Sequence, residues 1–406
     1  MQEKLNIVIF EDALSRSRVF KPLTYNRTDG ELRCGMHSLV ERLGKHNLYL
    51  HCEPHLAPLL RERYPDHKVN DVPNDDNIVL INSRCSEPEL ALKEIAAINK
   101  DHVHLANSEG KIVINRTRTG LPDAKKQMFR SGDVAEFKPT GESKVKLRTS
   151  LWEMVHHNPI QIESDIANLE KAKYLTSDSF AGVFTIHPEK IFIAKSASIA
   201  PTVVLDASKG SIVIEEGVTI QPHTSVFGPV VICKNSLIKA GAKIYGGTTI
   251  GAHSKVGGEI ENSIIQGFSN KQHDGYLGHS FIGEWCNLGA GTNTSDLRND
   301  YGNVSVKIEG ESFDTGMMFV GLMMGDHSKS AIGTQFNTGT AIGAHCNIFG
   351  AGFPPRWIPS FSWGGAQKVM KYDVEKALAV AKVVMARRGK VLTKTERDFW
   401  TQIKSL

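Results

Sequence analysis

The sequence predicts two architectures in series, an α/β sheet domain and then a parallel β-helix, with a helical tail behind them. Three observations carry that prediction. Over about the first 150 residues, short apolar runs alternate with amphipathic helical stretches. From Ile220 to Val256 an aliphatic residue recurs at every sixth position. Beyond residue 372 come two helical patterns, each with its own N-cap. Residues 1–180, 181–352 and 353–406 are the three expected segments.

In the first segment LNIVIF, NLYLHC and NIVLIN read as buried strands, and HSLVERLG and HLAPLLRERY carry apolar residues at helical spacing. Strand and helix in alternation imply a mainly parallel sheet covered on both faces. SLWEMVHHNPIQIESDIANL reads as a helical connector interrupted at Pro159.

The coil is read from Ile220, Val226, Ile232, Ile238, Ile244, Ile250 and Val256, with Ile193, Ile199 and Leu205 leading in at the same step. Each six residues make one short strand and one corner with the aliphatic side chain inward, and neighbouring turns must stack to form a core. The rhythm is expected to break over 257–281, resume at Ile282 and Leu288, break again over 293–318, and return loosely at Val320, Ile332, Ile342 and Ile348. His223, His253 and His345 occupy repeat positions expected to face solvent. FPPRWIPSFSWGG is expected to end the coil. Asp373 caps a helix with Val374, Ala377, Leu378, Ala381, Val384 and Met385 on one face, and Thr393 with Glu396 opens a second.

Composition narrows the function. The 48 Lys and Arg residues nearly balance 44 Asp and Glu, leaving +4, and neither zinc-finger spacing nor an RNA-binding signature accompanies that charge. No nucleic-acid partner is expected. The opening MQEKLNIVIFED is too short an apolar run for a secretory signal or a membrane span, and six scattered cysteines fit reduced thiols, so a cytoplasmic, membrane-free protein is expected.

The chemistry gathers in QHDGYLGHSFIGEWCNLGAGT, residues 272–292. His273 stands where the repeat breaks, and a near-neutral imidazole suits a general base. The thin strip Gly289, Ala290, Gly291 would let a long ligand lie against backbone, whose N–H groups could meet a developing oxyanion. Tight-corner glycines would read the same way.

H-x-x-Y-L-G followed by N-L-G-A-G-T resembles the acetyltransferase domain of the bifunctional N-acetylglucosamine-1-phosphate uridylyltransferase/glucosamine-1-phosphate acetyltransferase family, and LRNDYGNVSVKIEG with VMARRGKVLT is similar to its alternative, archaeal-like and bacterial branch. The resemblance covers nearly the whole chain. It implies a nucleotidyltransferase-like, Rossmann-like first domain, a left-handed β-helix, and a homotrimer with CoA between neighbouring subunits. It implies that His273 takes the proton from a sugar amine, that Tyr276, Asp296 and Arg298 contact a sugar phosphate, and that Gly289, Ala290 and Gly291 border acetyl-CoA. Asp296 replaces the asparagine of relatives, which leaves the acceptor sugar open.

In the first domain the family's glycine-rich phosphate loop is replaced by IFEDALSRSRVFKPLT, which keeps Pro22, Leu23 and Thr24 but no glycine. Arg16, Arg18, Lys21 and Arg33 are the expected nucleotide and phosphate contacts, with Arg27 beside them. Asn82 stands in for the aspartate that holds Mg²⁺, a neutral and poorer ligand for a hard cation. Sugar-1-phosphate nucleotidylyl transfer alongside acetyl transfer is the expected activity. Three alternatives stay open: a nucleotidyltransferase with a purely assembling coil, a non-catalytic regulatory protein, and a β-helix metalloenzyme using His273 and His279.

Overall fold

The computed structural model describes residues 4–73, 77–134, 137–175 and 180–403. Its first domain is built on strands β1 (Asn6–Phe10), β2 (Asn47–Leu50), β3 (Lys68–Val69), β4 (Ile78–Asn82), β5 (His102–Ala106), β6 (Ile112–Thr117) and β7 (Gly141–Glu142). They lie in the order β3-β2-β1-β4-β6-β5-β7, with β1 to β4 mutually parallel and β6 antiparallel to β4 and β5. Alternate residues of β1 feed two cores, Ile7 and Ile9 on one face and Val8 and Phe10 on the other. Helices α1 (Leu39–Arg42), α2 (Ala57–Arg63), α3 (Pro88–Ala96) and α4 (Asp123–Ser131) make the crossovers. The chain leaves β1 on one side for β2 and returns on the other at β4. The C-terminal ends of β1 and β4 therefore flank the crevice where ligands bind in open α/β sheets.

Helix α5 (Leu151–Ala167) is not interrupted at Pro159 and runs straight through it. A proline there removes one helical hydrogen bond. The buried face of Leu151, Trp152, Met154, Val155, Asn158, Ile162 and Ile166 offsets that loss. Asn158 clamps three segments together: its Oδ1 accepts from Gly35 N at 2.6 Å, and its amide donates to Gly247 O at 2.8 Å and Thr249 Oγ1 at 3.0 Å.

The second domain is a parallel β-helix whose turns stack strand over strand, Ile214 on Ile232 on Ile250 along one wall and Ile220 on Ile238 on Val256 along the next. Every aliphatic residue named from Ile193 to Val256 lies in its core. Residues 257–281 are not an interruption, because the strands Glu259–Glu261, Ile264–Gly267, Asn270–Lys271 and Tyr276–Gly278 continue the walls. Only the step shortens. Ile260 stacks on Ile244 and Ile265 on Ile250, separations of sixteen and fifteen residues in place of eighteen. The missing residues come out of corners, chiefly Gly257–Gly258, so a strict six-residue template loses the register although the core goes on.

The coil returns after 295–322 through Met324, Ser330, Phe336, Ile342 and Ile348. Ile332 is no core residue: it sits on a corner, 80% exposed. Val320 is buried against the sheet domain's connector rather than inside the coil. FPPRWIPSFSWGG does continue the coil, since Ile358 stacks on Ile342 and Gly364 on Ile348. Its prolines avoid the ladder hydrogen bonds because Pro354, Pro355 and Pro359 fall outside the strands Trp357–Ile358 and Ser362–Gly364.

His345 does not face solvent. It is buried in a file of rings, His253, Phe268, Trp285, His327, His345 and Phe361, stacked at successive corners 4.4 to 6.2 Å apart. All six residues adopt the left-handed backbone that turns the corner. The tail helices α6 (Val374–Ala386) and α7 (Lys394–Gln402) start at the expected caps, Asp373 and Thr393. They cover the file: Trp400 meets His345 edge-on at 4.6 Å, and Arg388 reaches His253 O at 2.8 Å. Leu378, Phe399 and Trp400 share one core with Leu56, Leu59 and Leu60 of the sheet domain.

Candidate active site

His273 lies on the four-residue corner between the strands Asn270–Lys271 and Tyr276–Gly278, with its side chain exposed. The next turn places the Gly289–Gly291 corner directly against it: Gly291 N donates to Asp274 O at 2.9 Å. The imidazole and the thin strip therefore share one edge of the coil. Gly289 and Gly291 are also tight-corner residues. Gly291 has φ +69°, and a Cβ at Gly289 would strike the backbone of Ala331 and Ile332. Their N–H groups are spent inside the coil, Gly289 on Ser330 O and Gly291 on Asp274 O. Among the described residues the Ala290 N–H has no acceptor, so of the three it is the one free to meet a ligand oxygen.

Tyr276 and Asp296, both assigned to a sugar phosphate by the resemblance, touch each other. The Tyr276 hydroxyl donates to Asp296 Oδ2 at 3.0 Å and lies 3.2 Å from Glu261 Oε2. Burial, reinforced by Asp296 and Glu261, pushes the phenol well above its ordinary range. Gly278 makes the cluster feasible, because a Cβ there would collide with both the Asp296 carboxylate and the Tyr276 hydroxyl. Sequence reasoning missed the third member. His279 Nδ1 sits 2.8 Å from Asp296 Oδ2, and its ring stacks on Phe319 at 5.0 Å with His156 5.3 Å away. A histidine after a glycine required by close packing, six residues beyond His273, was the available signal. No group of three or more His, Cys, Asp and Glu side chains that could hold a metal ion occurs among the described residues. Arg298 does not join the cluster; it pairs with Asp300 at 2.6 Å on the surface.

The sheet domain's expected phosphate contacts do not converge. Arg16 pairs with Glu11 at 3.0 Å. Arg18 reaches across to Glu309 and Glu311 of the hairpin Ser305–Asp314, at 2.9 and 3.1 Å. Lys21 is half-buried, donates to Thr24 O at 2.9 Å and stands over the Tyr25 ring. Arg33 holds Met36 O and Glu41 and lines a separate cavity of 260 Å³ with His37, Tyr174, Glu215 and Cys233. Arg27 is bound to Asp326 at 2.5 Å and Glu284 at 3.0 Å.

Asn82 alone of the expected set lines the crevice at the ends of β1 and β4, a cleft of 220 Å³ shared with Asp12, Arg84, Lys111 and Phe137. Its donor set does not fit Mg²⁺. The Asn82 carbonyl oxygen accepts from Arg84 N at 3.0 Å, and its amide donates to Asp12 Oδ2 and Ile112 O, both at 2.9 Å. Both Asp12 oxygens are taken by Arg84. Burial alone would raise the Asp12 carboxyl, but Arg84 and Asn82 prevail and hold it at about 2. The loop that should cradle phosphate instead folds on Asp12, which caps Ser15 N at 3.0 Å.

Residues 7–173 match the family described as sugar nucleotidyl transferase. The bifunctional protein GlmU of Methanococcus aeolicus is 32% identical over 191 residues, 47% of this chain and 41% of that relative. A bifunctional sugar-1-phosphate nucleotidylyltransferase/acetyltransferase of Sulfurisphaera tokodaii is 34% identical over 143 residues, 35% of this chain and 36% of the relative. The chain thus spans about two fifths of the length of these relatives. The structure of a Francisella novicida UDP-N-acetylglucosamine acyltransferase aligns over 54% of this chain and 75% of its own at 16% identity, with a TM-score of 0.29, too slight a likeness to carry an argument. The first domain is thus similar to sugar nucleotidyl transferases, and the relatives that match over part of the chain are bifunctional proteins of the GlmU kind.

Proposed function

We propose that the chain transfers an acetyl group from acetyl-CoA to the amine of an amino-sugar phosphate on the coil, with His273 as general base. The observation that carries this reading is the juxtaposition of an exposed imidazole with the Gly289–Gly291 corner one turn on. The neutral amine attacks the thioester carbonyl carbon and His273 takes the proton the amine sheds. The oxyanion lies within reach of a backbone donor such as Ala290 N–H. Collapse restores the carbonyl, breaks the C–S bond and releases CoA as a thiol, which recovers the proton. Tyr276 and Asp296 would orient the acceptor. CoA seated between neighbouring subunits needs a homotrimer, and light scattering should give three times the 44.7 kDa chain mass; a monomer at micromolar concentration refutes the shared site.

The sheet domain would bind the sugar phosphate or its nucleotide in the crevice beside Asn82 and Lys111. The Asp12–Arg84 pair favours a domain that binds and assembles over one that turns over nucleoside triphosphate through Mg²⁺. No helix of the described residues is long and apolar enough to cross a membrane, in keeping with a cytoplasmic enzyme. The test is acetyl transfer with glucosamine 1-phosphate and other amino-sugar phosphates, alongside pyrophosphate release from nucleoside triphosphates with sugar 1-phosphates. Acetyl transfer with little or no pyrophosphate is the expected result. Pyrophosphate release without acetyl transfer would make the coil an assembly module.

A further inference from the structure

Inward positions of the coil carry apolar or small hydroxyl side chains such as Ser330 and Thr294, and against that pattern one of them carries a charge. Lys271 stacks directly on Val256, a core residue, and is only 2% exposed. A lysine there forgoes the apolar contact its neighbours make and must bury its ammonium, which costs several kcal/mol unless that group is hydrogen-bonded. Its Nζ donates to Gly257 O at 2.9 Å and to His273 O at 3.0 Å. The two carbonyls belong to successive corners of one edge, the shortened Gly257–Gly258 corner below and the His273 corner above. Gly258 leaves room for the ammonium, since a Cβ there would stand 2.7 Å from Nζ.

We propose that Lys271 is a positioning residue for His273, a strut inside the coil that ties the His273 carbonyl to the corner beneath and fixes the backbone from which the imidazole projects. The two-residue corner at Gly257–Gly258 removes the support that a four-residue corner gives elsewhere, as at Lys239–Ala242. The ammonium replaces that support. From the other side, the Gly291 N to Asp274 O bond holds the same corner to the turn above. Burial pulls the Lys271 ammonium down to about 8, with Asp274 and Glu259 opposing the shift. A group under that strain persists only where its bonds hold something in place. The proposal rests on the acetyl-transfer reading, but its geometry can be tested without it.

Lys271→Met keeps the stem and removes the donors. The expected result is faster amide hydrogen exchange confined to residues 272–275, a melting temperature equal to or above that of the parent, and a kcat for acetyl transfer lower by about 10²-fold, the scale of an ångström of misplacement. KM for acetyl-CoA should stay within about twofold, because a strut acts on the base and not on CoA binding. Unchanged exchange at 272–275 overturns the proposal whatever the activity. Should the variant fail to fold, the parent protein labelled with ¹⁵N-lysine decides. A Lys271 ammonium protected from water and coupled to the Gly257 and His273 carbonyls upholds the strut; one exchanging at solvent rates overturns it. If the parent shows no acetyl transfer with any amino-sugar phosphate, the functional reading fails, while the exchange and lysine signals still judge Lys271.

Discussion

His273 has an exposed side chain on a corner held on one side by the Lys271 ammonium and on the other by the Gly291 N–H, so its removal should leave the fold alone. His273→Ala is expected to lower acetyl transfer by about 10² to 10⁴-fold, the ordinary worth of a positioned base, with CoA binding and melting temperature nearly unchanged. Isothermal titration and a thermal melt beside the rate assay check this. An unfolded variant would make His273 structural, and full activity would move the base elsewhere. Gly278 behaves in the opposite way. Gly278→Ala drives a methyl group into the Asp296 carboxylate and the Tyr276 hydroxyl, and overpacking of this kind costs about 1–3 kcal/mol. A lowered melting temperature together with a raised KM for the acceptor is the expected pair of effects. At this scale the sequence told which residues bear chemistry and not what they touch. Tyr276 and Asp296 came to notice through the family resemblance alone, whereas Arg18 and Arg27 look like phosphate ligands and are spent on carboxylates nearly 300 positions away. A guanidinium reads the same in sequence whether it awaits phosphate or holds a distant glutamate.

Elements were most legible where the period was strict. The six-residue step put every aliphatic residue it named from Ile193 to Val256 in the core, passing over Ile214 between Leu205 and Ile220, and Asp373 and Thr393 located both tail helices. The step failed at Gly257–Gly258 because corners can shorten without disturbing the strands, and at Ile332 because an aliphatic residue on a corner mimics one in the core. Pro159 misled for a related reason, since tertiary burial outweighed a local breaker. His345 shows what such packing does to a titratable ring. Burial, assisted by His327 and Lys329, holds its imidazole well below the ordinary value of 6.5. The unfolded chain therefore takes up a proton below about 6.5 that the folded chain refuses, so this contribution is intact above that pH and is lost as the pH falls below it. His51, at about 3, and His37, at about 4, act with the same sign. Glu11, buried and raised to about 8, acts against them, because above about 4.5 the unfolded chain sheds a proton that the folded chain keeps, so its contribution falls as the pH rises from about 4.5 to about 8. His345→Phe keeps the stack, as Phe268 and Phe361 occupy equivalent left-handed corners. Melting temperature plotted against pH should then fall less steeply below 6.5 than in the parent, and an identical acid limb would show that His345 does not titrate as described.

The whole molecule is held by polar ties as much as by apolar contact. Arg27, 2% exposed, is bound to Asp326 and Glu284, and Asn26 shares the Asp326 carboxylate at 3.0 Å. Arg27→Ala would strand the buried Asp326 carboxylate and free the half-buried Glu284, a loss of about 3–5 kcal/mol in comparable cases. Urea unfolding followed separately by probes on the sheet domain and on the coil should show the midpoint drop for both, and a drop confined to one domain would mean that the tie does not couple them. The sheet domain grips the coil at many heights: Glu163 on Ser211, Asn158 on Gly247, Arg33 N on Gln266, Arg27 on Glu284 and Asp326, Tyr25 on Glu309. Repeat proteins usually gain and lose units freely, because each turn knows only its neighbours. Here an extra eighteen-residue turn anywhere between Ser211 and Asp326 would lift every higher grip by one strand spacing, about 4.8 Å, and leave charged partners facing the wrong turn. Descendants of this chain can vary in coil length only outside that stretch, so the globular half acts as a gauge that fixes how many turns its solenoid has.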